Sequence, residues 1–144
     1  MTDFRELQKR VGEINIANGW REGGLEEAGT KARAYQDIVE LALIDTEIAE
    51  AIEEIRNGSP EKYYSGGYIS DVIDGVEWPL VSDDSPVDAD DDPRKPEGIR
   101  SELADAVIRA MDMADKRDWD LLGDIEEKLG YNATRGYRHG GKKA

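Results

Sequence analysis

The stretch IVELALIDTEIAEAIEEIRNGSP, residues 38–60, decides the fold. Leu41, Ile44, Ile48, Ile52 and Ile55 recur at steps of three and four, which lines them along one stripe of an α-helix instead of alternating them across a strand. No proline interrupts the chain from about Leu25 to Arg56, so the pattern predicts one long helix over that range. Asn57-Gly58-Ser59-Pro60 stops it, because proline blocks continuation and glycine favours a helix end.

Upstream, Phe4, Leu7, Val11 and Ile14 keep the same period, and Thr2 or Asp3 can cap the start. A first helix is predicted over about 3–17, ended by Asn18-Gly19. Downstream, the periodicity fails between about 59 and 97, where glycines and prolines punctuate a long acidic connection. Two short pieces within it, Tyr68 to Ile73 and Val76 to Val81, are rich in β-branched and aromatic residues and meet at Asp74-Gly75, a favoured hairpin turn. Leu103, Val107, Ala110, Met111 and Ala114 mark a third helix over about 97–116, and a fourth follows over about 121–134. The expected architecture is all-α: a four-helix bundle in a single domain spanning 1–144, with an insertion at about 59–97 between the second and third helices.

Thirty-three acidic against 19 basic side chains give a net charge of −14, which repels polyanions at long range and argues against direct nucleic-acid or anionic-membrane binding. Cysteine is absent, so neither a disulfide framework nor a thiolate metal site is available. No run of about eighteen apolar residues occurs, and the beginning does not read as a secretion signal; a cytoplasmic location is expected. The single histidine, His139, lies in a glycine-rich basic tail with no pattern of triad partners. Asp88, Asp90 and Asp92 imitate the start of a calcium loop, but Pro93 stands where glycine is needed and Ile99 where glutamate is needed. Trp20 and Trp119 are read as core or interface aromatics.

The second helix carries Glu47 and Glu50, and the third carries Glu102 and Asp105. Each pair, three positions apart, shares a helical face, and two such helices side by side can present four hard oxygen ligands to magnesium or manganese. In so acidic a chain such pairs also arise by composition alone, as solvated faces. A helical projection puts Glu47 at the border of the apolar stripe, with Glu54 beside it, but sets Glu102, Asp105 and Asp112 roughly opposite the apolar face, where exposure is expected.

Two blocks carry more information than this spacing. ALIDTEIAEAIEEIRNG (42–58) followed by KPEGIRSELADAVIRAMDMADKRDWDL (95–121) resembles the ExxE and ExxD segments of the MazG-like, all-α nucleoside triphosphate pyrophosphatases. EKLGYNATRGYRHGGK (127–142) is similar to the C-terminal block of the smaller members, including those of phages. The resemblance implies that Glu47, Glu50, Glu102 and Asp105 bind catalytic magnesium, with Glu54 as an outer ligand. It also implies that Lys128, Asn132 and Arg135 meet the triphosphate of a nucleotide substrate, Arg as a planar fork and Lys as a mobile point charge. Without the resemblance, those three read as a solvated last turn whose cations complement the helix dipole. Arg138, His139, Lys142 and Lys143 extend the basic patch. A homodimer or homotetramer is the implied assembly.

The chain departs from the small relatives in its insertion, which contains Tyr63, Tyr64, Tyr68 and Trp78. The activity expected is magnesium-dependent hydrolysis of an NTP or dNTP between the α- and β-phosphates, giving the monophosphate and pyrophosphate. Two other readings stand beside it: an acidic protein that imitates nucleic acid or blocks a basic partner, and an inactive scaffold of the same family.

Overall fold

The computed structural model describes residues 2–65 and 94–137, and the backbone of 71–73 and 76–78. The described chain is mostly helical, in the order α1 (Phe4–Ala17), α2 (Lys31–Arg56), β1 (Tyr63–Ser65), β2 (Asp71–Ile73), β3 (Val76–Trp78), β4 (Lys95–Glu97), α3 (Ile99–Lys116) and α4 (Leu121–Ala133). It divides into two compact units, Val39–Val107 and Met1–Ile38 with Ile108–Ala144.

In the latter unit, α1 begins at a capping box: Asp3 accepts a hydrogen bond from the Glu6 amide at 2.8 Å, and the Glu6 carboxylate reaches back to the Asp3 amide. Helix α2 begins six residues later than the proline-free run implies. Gly29, at φ +83°, breaks the run, and the Thr30 hydroxyl then caps by accepting from the Arg33 amide. Val11, Met111 and Ala114 form the buried apolar residues, and charged groups tie the rest. The Arg21 guanidinium donates to Asp112 and Asp115, and Arg117, itself buried, donates to Asp37, which also accepts from Arg33. Arg117 and then Arg33 hold the Asp37 carboxyl below its ordinary range. Gly12 lies where Arg21 meets Asp115, and a Cβ there would lie 1.9 Å from the Asp115 carboxylate, which would have to move away from its present place beside Arg21. Trp20 and Trp119 are both exposed, and Arg117 stacks over the Trp119 ring at 5.4 Å. Asp120 caps α4 through the Gly123 amide and takes two 3.1 Å hydrogen bonds from Arg5.

In the unit Val39–Val107, β1 and β4 form an antiparallel ribbon with Tyr63 opposite Glu97 and Ser65 opposite Lys95. No local pattern in the sequence predicts this ribbon. Its strands are three residues each, distant in sequence, and one contains Pro96. The expected hairpin is present as β2 pairing with β3, Asp71 opposite Trp78 and Ile73 opposite Val76. Its Asp74-Gly75 turn lies outside the described residues, as do Tyr68, Asp88, Asp90, Asp92, Arg138, His139, Lys142 and Lys143. Glu97, placed in the third helix by periodicity, belongs to β4 instead, and Gly98 separates them at φ +96°. A Cβ at Gly98 would come within 2.6 Å of the Glu61 carbonyl, while the Arg100 amide donates to that same oxygen at 3.1 Å. Only glycine seats the ribbon against the start of α3 in this way.

Candidate metal centre

The long helix delivers Glu47 and Glu54 from one side, and the first turns of α3 deliver Glu102 and Asp105 from the other. One carboxylate oxygen each from Glu47, Glu102 and Asp105 lies within 4.8 Å of the others. That limit is close to the roughly 4.2 Å between opposite oxygens of an octahedral magnesium ion, whose metal–oxygen bonds are about 2.1 Å. A second trio, Glu54, Glu97 and Glu102, satisfies the same 4.8 Å limit, so Glu102 belongs to both.

The burial of these groups is unlike that of a solvated face. Glu47 and Glu102 are each only 5% exposed, so the projection that set Glu102 on the water side is overturned. Glu97, carried by the β1–β4 ribbon, and Glu54, carried by α2, both stand beside Glu102, neighbours that the pattern of α3 alone does not reveal. Burial, reinforced by the charges of Glu50, Asp105 and Glu47, raises the Glu102 carboxyl above its ordinary range; Lys95 opposes the shift. No hydrogen-bond donor meets the Glu102 carboxylate among the described residues. A buried carboxylate among carboxylates is costly to ionise unless a cation compensates it. An oxygen-only, acidic donor set suits a hard divalent cation such as magnesium or manganese.

Glu50 is exposed and contributes no oxygen to either trio, although its charge acts on Glu102. Glu54 is half-buried and accepts from the Tyr63 hydroxyl at 3.1 and 3.2 Å. Burial and the adjoining Glu54 together keep that phenol protonated beyond its usual range. Glu97 accepts from the Ser65 hydroxyl at 2.7 Å and pairs with the Lys95 ammonium at 3.2 Å. The Ser65 bond leads in holding Glu97 below the usual carboxylate range.

Tyr63, Ser65, Lys95 and Glu97 therefore extend the centre beyond the residues that helical spacing singles out. Their only sequence signal is the KPEG segment that opens the α3 block, since pairing of 63–65 with 95–97 has no local periodicity. Lys128, Asn132 and Arg135 lie in the other unit, exposed on α4 and just after it. There Lys128 and Arg135 both stand over the Tyr131 ring, at 5.6 and 6.0 Å. Among the described residues, no helix is long and apolar enough to cross a membrane. No family model, curated protein or solved structure matches the chain.

Proposed function

We propose that this protein is a magnesium-dependent nucleotide pyrophosphohydrolase that cleaves a nucleoside triphosphate to the monophosphate and pyrophosphate. The observation that carries the reading is the Glu47–Glu102–Asp105 trio, three convergent oxygens of which two belong to carboxylates buried against ordinary expectation. Within it, burial and neighbouring carboxylates oppose ionisation of Glu102, and a divalent cation would relieve that opposition. The MazG-like resemblance of 42–58 and 95–121 supplies the reaction.

Glu47, Glu102 and Asp105 would hold the cation, with Glu54 and Glu97 next to it through the shared Glu102. Bound magnesium supplies charge neutralisation for the polyphosphate and a lowered pKa for a water molecule. Hydrolysis at this centre would form a bond from a water oxygen to the α-phosphorus, break the bond from that phosphorus to the α–β bridging oxygen, and release pyrophosphate with that oxygen, the water's proton passing to solvent or to the departing phosphate. Tyr63 and Ser65 donate to Glu54 and Glu97 and so orient the outer carboxylates. Glu50, exposed beside the trio, is available to a substrate-bound water or to a further cation. The roles of Lys128, Asn132 and Arg135 toward the triphosphate rest on the sequence resemblance alone.

The working form is a homo-oligomer. Leu41, Ile48, Ile52 and Ile55 lie on one stripe of α2 and remain 40–62% exposed, a contiguous apolar face that a solitary soluble chain rarely leaves in water. The functional test is release of monophosphate and pyrophosphate from a panel of ribo- and deoxyribonucleoside triphosphates, with magnesium and with a chelator. Magnesium-dependent release of both products is expected. A folded protein releasing neither would favour the acidic partner-binding protein or the inactive scaffold.

A further inference from the structure

Antiparallel pairing puts directly opposed residues on the same face of a ribbon, and residues two apart on one strand share that face. Tyr63, Ser65, Lys95 and Glu97 are therefore on one face of the β1–β4 ribbon, and the Tyr63 bond to Glu54 and the proximity of Glu97 to Glu102 show that this face meets the carboxylates. Lys95 is the cation on it. Its ammonium lies 3.2 Å from Glu97, and the charges of Glu102 and Glu50 also act on it.

We propose that Lys95 is a substrate-binding residue of this centre, exchanging Glu97 for a phosphate of the bound polyphosphate. The proposal rests on the pyrophosphohydrolase reading and adds to it a residue outside both acidic motifs. Lys95 is not needed to orient Glu97, because the shorter Ser65 bond at 2.7 Å holds that carboxylate already. The Lys95 side chain is 68% exposed, so its ion pair is of the weakly held surface kind. A flexible four-carbon stem with three donors suits a group that must follow a moving phosphate. A triphosphate keeps net negative charge after one divalent cation binds, and the carboxylates around it need a positive neighbour on the substrate side.

The test compares Lys95→Gln and Lys95→Arg with the parent by three readouts: steady-state kinetics, manganese binding by electron paramagnetic resonance, and calorimetric binding of pyrophosphate with manganese. For Lys95→Gln, KM should rise and pyrophosphate affinity fall by roughly ten- to a hundredfold, as for a lost charged hydrogen bond. The same variant should bind manganese alone at least as tightly as the parent, because a competing positive charge is gone. Lys95→Arg should recover part of the KM. An active parent with unchanged KM and pyrophosphate affinity in Lys95→Gln overturns the assignment, as does a variant that loses manganese binding, which would make Lys95 a prop for Glu97. A parent with neither turnover nor pyrophosphate binding overturns the functional reading, and the role of Lys95 falls with it.

Discussion

Replacing Glu102 by glutamine keeps the shape of a buried carboxylate and removes its charge, so Glu102→Gln should stabilise the metal-free protein while abolishing its response to magnesium. Two unit charges on carboxylate oxygens at the 4.8 Å limit repel by about 3.5 kcal/mol at an effective dielectric of 20. Glu102 meets this from both Glu47 and Asp105, and relieves it in the parent by taking up a proton more readily than usual. The gain expected in chelator at pH 8 is therefore about 1–3 kcal/mol, or about 3–10 °C in Tm. The sign with pH follows from the raised carboxyl. Its contribution to stability is fully present below the unfolded value of about 4.3 and is lost as pH rises through the higher folded value. The advantage of the variant should accordingly vanish near pH 4 and grow toward neutrality. Magnesium at a hundred times its Kd should stabilise the parent by about 2.7 kcal/mol and the variant far less. Thermal melts with chelator and with magnesium, repeated across pH, decide the matter. A variant that melts below the parent in chelator at pH 8, or equal stabilisation of both by magnesium, would refute the idea of a self-repelling cation site.

Gly98→Ala should cost about 2–4 kcal/mol in urea unfolding, since the added Cβ meets the Glu61 carbonyl at 2.6 Å in a left-handed backbone; a loss below about 1 kcal/mol would show that the ribbon does not depend on this seat. Light scattering of the parent should give two or four times the 16.0 kDa chain mass, and Ile52→Glu should shift it toward one chain. A parent that stays monomeric at micromolar concentration would contradict the assignment of the α2 stripe to self-association.

The parts of the fold that follow a local period were readable in the sequence, and the parts made by distant pairing were not. α1 and α4 lie within about a residue of their expected ends because their caps, Asp3 and Asp120, stand next to the periodic runs. The start of α2 was missed because nothing in Leu25–Gly29 announces a break except a glycine whose positive φ is a property of the folded backbone. The α2 stripe shows the limit of the period itself: it identifies an apolar face but not what covers it, and Leu41, Ile48, Ile52 and Ile55 stay half exposed in a single chain. Glu102 shows the same limit in reverse. A projection of α3 sees only α3, whereas Glu102, 5% exposed, has as neighbours Glu47 and Glu54 of α2 and Glu97 of β4, a strand whose pairing with β1 spans some thirty residues of sequence. The acidic pairs were visible as residue types and spacing. Which of their oxygens converge, with Glu50 in neither trio and Glu97 beside Glu102, depends on how α2, α3 and the ribbon come together, which no local period reports.

The most direct test of the central claim is the identity of the products, followed by phosphorus NMR as the protein acts on nucleoside triphosphates with magnesium, with a parallel sample in chelator. The account predicts equal amounts of nucleoside monophosphate and pyrophosphate, formed only with the metal. Nucleoside diphosphate with orthophosphate, the same products in chelator, or unchanged triphosphate across every base and sugar would contradict it.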